Sequence, residues 1–159
     1  MLQANFKSIL AGTAVVALTG FLGACQNTPS MAGATANSNI KTYQVQLNGA
    51  QEVPAKAIAG TGTAEIIVDT SAKTVKWTLT YAGLTGPATM AHIHGPSGAA
   101  GTNAPVMVPF AGAGMTSPNA GQAPLTDVQM AAILAGTTYV NVHTAANPAG
   151  EIRGQITPK

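Results

Sequence analysis

Apolar and polar residues alternate singly through much of this chain, and that period constrains the fold more than any other feature. Tyr43, Val45 and Leu47 alternate with Gln44 and Gln46, and Val75, Trp77 and Leu79 alternate with Lys76, Thr78 and Thr80. A period of two places each set on its own face of a strand, so these segments form half-buried strands against a core. Turn residues cut them short: Asn48-Gly49, Asp69-Thr70-Ser71-Ala72, Gly83, Gly86-Pro87 and Gly95-Pro96. The pattern predicts a first strand from about Lys41 to Leu47. Further strands follow over Thr61–Val68, Lys73–Tyr81, Ala88–His94, Pro105–Phe110, Thr137–Thr144 and Glu151–Thr157. The second and third form a hairpin, and Pro109 sends the fifth to a sheet edge or interrupts it. Ala111 to Ala123 reads as a Gly/Ala/Pro-rich loop. Thr126-Asp127-Val128-Gln129 is a capping box, flanked by Leu125 and Met130 as a hydrophobic staple, and Gly136 ends the single helix it starts. Seven short strands with one short helix predict an all-β antiparallel sandwich or barrel.

Composition narrows the function. Charged residues make up 8% of the 159, with seven Lys+Arg against five Asp+Glu. Globular chains carry about a quarter, and charge this sparse gives no footprint for nucleic acid and no basic run for an anionic membrane surface. The first 24 residues read as an export signal: Lys7 is a thin positive start, and Ile9 to Leu22 is an apolar run too short for a convincing membrane span. Leu22-Gly23-Ala24-Cys25 resembles a bacterial lipobox, which implies cleavage before Cys25 and diacylglycerol on its thiol. Cys25 is the single cysteine, and lipidation accounts for both its place and its solitude. Residues 25–40, small and polar without periodicity, read as a flexible tether, and 41–159 as the domain. The expectation is an exported protein of the bacterial cell envelope, held to a membrane through Cys25.

All three histidines fall in two short patterns, His92-Ile93-His94 and Val142-His143. Met90, His92 and His94 share one strand face opposite Ala91 and Ile93; Tyr139, Asn141 and His143 share one opposite Val140 and Val142. A sandwich that buries the aliphatic stripes leaves the histidines outward or in a rim pocket. The plain reading is surface or hydrogen-bonded histidines without a ligand. The other is a three-imidazole metal site, suited to copper or zinc and ill matched to calcium or magnesium.

Four motifs in order resemble the CHRD (chordin-type) domain over about residues 41–157: Leu47-Asn48-Gly49-Ala50-Gln51-Glu52-Val53-Pro54, Ala91-His92-Ile93-His94-Gly95-Pro96, Tyr139-Val140-Asn141-Val142-His143-Thr144 and Gly150-Glu151-Ile152-Arg153-Gly154-Gln155-Ile156. The resemblance implies an immunoglobulin-like or superoxide-dismutase-like Greek-key sandwich or barrel, with distant similarity to the copper/zinc superoxide dismutases. It matches His92, His94 and His143 to those enzymes' copper ligands and offers Arg153 as the arginine that guides the anionic substrate. The departures are plain. A fourth histidine is missing and the one cysteine lies in the leader, so zinc held as in those enzymes is excluded by count, and one copper ion remains.

The remaining candidates have modest readings. Glu151 and Arg153 share a strand face as a surface ion pair, or Arg153 lies beside a metal or an anion. Glu52 marks a turn or packing position, since a lone carboxylate supports no hydrolase mechanism. Trp77 is core. Met90 packs at the core or rim, or is a soft axial ligand for copper. Asn141 bonds a neighbouring loop or orients His143. No residue is assigned as catalytic. Three functions follow: a non-catalytic module binding one copper ion, with zinc second; a copper oxidoreductase of superoxide-dismutase type; or a metal-free structural or adhesion module for a protein or glycan partner.

Overall fold

The computed structural model describes residues 39–97, 101–110 and 115–158. The leader, Cys25 and nearly all of the tether lie outside them. The strands are β1 (Ile40–Asn48), β2 (Thr61–Asp69), β3 (Thr74–Ala82), β4 (Ala88–His94), β5 (Val106–Pro109), β6 (Asn119–Pro124), β7 (Thr138–Thr144) and β8 (Ile152–Ile156), with the helix α1 (Asp127–Leu134) between β6 and β7. They form one antiparallel sheet in the order β5-β4-β7-β8-β1-β2-β3-β6. Successive strands β3 and β4 fall in opposite halves of the sheet, and the chain crosses back between β5 and β6, which gives the Greek-key character. The sheet curls into a nearly closed barrel or sandwich. Phe110, just past edge strand β5, stacks on Trp77 of β3 with centroids 4.4 Å apart and planes 5° from parallel.

The period-two segments behave as their pattern requires. Tyr43, Val45, Leu47, Ala64, Ile66, Val68, Val75, Trp77 and Leu79 are all buried, while their alternating neighbours face away. β1, β2 and β3 pair along their full nine-residue lengths, Ile40 opposite Asp69 and Thr61 opposite Ala82, so the core face is continuous across the meander. A one-residue slip would turn the whole set outward, and this fixes the register. Thr126 caps α1 with the full capping box, Leu125 is buried, and Met130 packs against the core.

One strand departs from the expectation. Asn119–Pro124, within the stretch read as loop, is edge strand β6, paired with β3 from Thr74–Pro124 to Leu79–Asn119. Its composition hides it, because Gly, Ala and Pro are poor strand formers. Packing explains the glycine: a Cβ on Gly121 would lie 2.4 Å from the Trp77 ring, so the indole occupies the place of a side chain. The Trp77 Nε1–H donates to Asn119 Oδ1 at 3.0 Å, which ties β6 to the same ring.

β7 is the one strand buried at every position. Val140 and Val142 meet the apolar core, as expected. Tyr139, Asn141 and His143 on the opposite face are buried as well, so of the two placements the pattern allows, outward or in a rim pocket, that face does not take the outward one. Three connections cover it. Residues 49–56 follow β1, 101–104 precede β5, and 145–151 join β7 to β8. They are tied together where Asn103 Nδ2 donates to Val53 O at 2.9 Å and Lys56 Nζ to Asn147 Oδ1 at 2.9 Å. The barrel therefore has an apolar interior and, behind β4, β7 and β8, a second buried layer that is polar.

Candidate metal centre

The histidines lie in this polar layer. β4 and β7 are antiparallel neighbours with Met90 opposite His143, His92 opposite Asn141 and His94 opposite Tyr139. Opposed residues share a face and diagonal ones come within reach of long side chains, so the period-two pattern brings the three rings together. Centroids are 5.4 Å apart for His92–His94, 5.0 Å for His92–His143 and 5.6 Å for His94–His143. One ring nitrogen from each lies within 4.8 Å of the others. Nitrogens bound to one ion at about 2.0–2.1 Å sit about 3.3–4.1 Å apart, so closing on an ion takes only a small adjustment of the rings.

Backbone carbonyls set two of the tautomers. His94 Nδ1 is 2.9 Å from Ala104 O, and His143 Nδ1 is 3.1 Å from Pro148 O. A carbonyl only accepts, so each Nδ1 carries hydrogen, and in the neutral ring each Nε2 holds a lone pair. His94 Nε2 is buried without a hydrogen-bond partner. His143 Nε2 lies 3.1 Å from His92 Nδ1; with its own lone pair there, His92 is the donor.

Burial keeps all three rings neutral. It lowers His92 first, with help from His143 and His94, to a pKa of about 4. His94 is lowered by burial and by Arg153, against the opposing hydrogen bond to Ala104. His143 is lowered by burial, opposed by Pro148 and assisted by His94. Neutral imidazole is the ligand form, and proton competition is weak at neutral pH.

The other expected residues fall into place around this cluster. Arg153 is buried at 2% exposure and makes no ion pair with Glu151. Its guanidinium carbon lies 3.4 Å from the centroid of the Tyr139 ring, and its nitrogens donate to Thr102 O at 2.9 Å and Asn103 Oδ1 at 3.3 Å. The other face of that ring stacks on His94, with centroids 5.0 Å apart and planes 4° from parallel. The resemblance put Arg153 where it would meet an incoming anion; here Tyr139 stands between it and His94, and the 102–103 segment caps it. Tyr139 Oη accepts from Ala104 N at 3.0 Å, beside the carbonyl that holds His94. Tyr139 joins the site unannounced by any motif of its own; its place two residues before Asn141 on the histidine face is the signal for it in the sequence.

Asn141 lies beside the Glu52 side chain of the loop after β1, both of them over Gly150; its Oδ1 is buried without a hydrogen-bond partner, and Pro148 O rather than Asn141 holds His143. Met90, across from His143, is 47% exposed at the rim. Glu52 N donates to Gly49 O and closes a turn, as expected. Its side chain is buried, and burial pushes its pKa up to about 7 against the pull of Arg153, Lys56, Asn141 and Val53. Glu151 is fully buried, which raises its pKa, but hydrogen bonds from Thr144, Thr85 and Asn147 outweigh this and hold it below the usual carboxylate range.

Among the described residues these three histidines are the one group of potential metal ligands. Neutral nitrogen donors without thiolate or carboxylate fit copper or zinc. No curated protein and no solved structure matches the chain. The CHRD domain family model matches residues 43–156, a span that starts in β1, ends in β8 and contains the whole polar layer with its histidines. With that match over most of its length, the chain belongs to the CHRD domain family.

Proposed function

We propose that this protein is an exported, lipid-anchored binding module of the bacterial cell envelope, and that its CHRD domain holds one copper ion through His92, His94 and His143. The observation that carries the metal reading is the convergence of three neutral imidazoles. Two of them are fixed by backbone carbonyls with a lone pair on Nε2; that of His143 faces His92 Nδ1, and that of His94 is buried without a partner. His94 Nε2 is one of four buried side-chain polar atoms without a partner among the described residues, and the one that belongs to the histidine cluster, where a ligand would supply what it lacks. Copper is favoured over zinc because Cu(II) exceeds Zn(II) at nitrogen sites in the usual affinity order. The ion supplies Lewis acidity or one-electron chemistry to whatever reaches it. His94 and His143 hold their Nδ1 protons on Ala104 O and Pro148 O and present Nε2. His92 would offer Nδ1 in the tautomer that carries its hydrogen on Nε2. Arg153, covered and stacked on Tyr139, is held by Thr102 and Asn103 and does not face solvent, which supports binding rather than turnover.

Titration of the purified chain tests this. One Cu(II) per chain is expected, bound more tightly than Zn(II), and lost by at least about 1,000-fold in affinity in the variant His92→Ala/His94→Ala/His143→Ala, as removal of all three ligands requires. Equal binding by that variant would refute the site. The anchor rests on Leu22-Gly23-Ala24-Cys25. Mass spectrometry of the processed protein from a bacterial membrane fraction should find an N-terminal acylated Cys25; an unmodified cysteine there would end the lipoprotein reading.

A further inference from the structure

Glu151 is the most completely bonded buried carboxylate of the described residues. Its Oε1 accepts from Thr85 N at 2.6 Å, and its Oε2 from Thr85 Oγ1 at 2.7 Å, Thr144 Oγ1 at 2.5 Å and Asn147 Nδ2 at 3.0 Å. Charge-assisted bonds of this kind are about twice as strong as neutral ones, and Glu151 meets no cation that would explain its burial as an ion pair. Its partners lie in two places: the connection before β4, and the turn from β7 to β8.

That turn is the one that holds a histidine. Thr144 follows His143 directly, and Asn147 precedes Pro148, whose carbonyl accepts from His143 Nδ1. Thr144 Oγ1 also accepts from Asn147 N at 3.1 Å, and Asn147 N donates to Thr144 O at the same distance. Both ends of the segment that closes on the imidazole are thus pinned to one carboxylate.

From this arrangement we infer that Glu151 is a positioning residue for the metal site: it fixes the turn so that the Pro148 carbonyl holds His143 with hydrogen on Nδ1 and Nε2 turned toward His92. This rests on the three-histidine reading for its consequence, though not for its geometry. Glutamine cannot replace the carboxylate. Its single oxygen serves either Oε2's three donors or Thr85 N, and its amide hydrogens then face another donor. The site would relax without losing a ligand, and losing a group that orients a metal-bound histidine typically costs about 10–100-fold in affinity.

The test measures the tautomer of His143 by long-range proton–nitrogen NMR in the metal-free full chain, together with Cu(II) affinity. Wild type should show the Nδ1–H tautomer of His143. Glu151→Gln should show a mixture and bind Cu(II) about 10–100-fold more weakly. An unchanged tautomer in Glu151→Gln, or an Nε2–H tautomer in wild type, overturns the inference, even if thermal stability falls. Should Glu151→Gln fail to fold, Asn147→Ala, a half-buried position on the same carboxylate, decides by the same two readouts. If the tautomer shifts as expected while wild type binds no metal, the positioning stands and the metal reading is what fails.

Discussion

The two faces of β4 and β7 are built by different means. Inward, Ala91, Ile93, Val140 and Val142 join one apolar cluster with β1, β2, β3 and β8. Outward, His92, His94, Tyr139, Asn141 and His143 lie under three connections, and His94, Tyr139 and His143 bond the backbone of those connections. The inner face gains from area removed from water, a non-directional effect that tolerates many apolar sequences. The outer face depends on direction, since each buried polar group there needs a partner at a set place. One layer holds the barrel together, and the other specifies a site.

The comparison breaks most visibly at the inner face. Trp77→Ala removes the ring that stacks on Phe110, fills the space above Gly121 and donates to Asn119. It should cost about 3–5 kcal/mol in urea unfolding, the usual range for a buried aromatic. In the fraction that remains folded, Cu(II) affinity should be close to wild type. If a change there alters affinity as much as a change among the polar loops, the two faces are one cooperative unit and the division fails.

A smaller effect sharpens the outer face through pH. His92, lowered to about 4, stays neutral in the fold where the unfolded ring takes up a proton near 6.5. Its contribution to stability is therefore present above about 6.5 and is lost as pH falls toward 4. Glu52 runs the other way. Raised from 4.5 to about 7, it keeps its proton in the fold where the unfolded chain releases it, so its contribution is full below 4.5 and lost as pH rises through 7. The two slopes oppose each other between about pH 4.5 and 6.5, and the metal-free protein should have a flattened stability profile there. Glu52→Gln removes one of them. Relative to wild type, the variant should gain about 2–3 kcal/mol between pH 4.5 and 7.5, read from urea midpoints at both values. A constant difference across that range would show that Glu52 does not carry a raised pKa.

The sequence made the inner face legible almost residue by residue, because periodicity two is a direct image of burial on one side of a strand. Tyr43 to Leu47 and Val75 to Leu79 needed no tertiary information, and the capping box at Thr126 needed only three residues of local context. β6 was hidden because its partner, not its own composition, makes it a strand: Trp77 fills the space at Gly121. The convergence of the histidines was legible as a spacing, since His92 and His94 must share a face. What covers that face was not. Arg153 under the 102–103 segment, Glu151 bonded to Thr85, and Glu52 against Asn141 all depend on connections far away in the chain. A strand pattern reports which side of a residue is apolar, and says nothing about a loop arriving to bury the other side.

The covering connections also bear on when the site comes into being. An unfolded chain keeps His92 and His94 adjacent, a chelating pair at most, while His143 is 51 positions from His92. Joining them requires β4 to pair with β7, and orienting them requires residues 101–104 and 145–151 to close over the sheet. Each closure is long-range or follows one, and such contacts form late and at a cost in chain entropy. The three-nitrogen cluster is therefore a property of the completed barrel, and an ion that needed all three rings would report a chain that has finished folding.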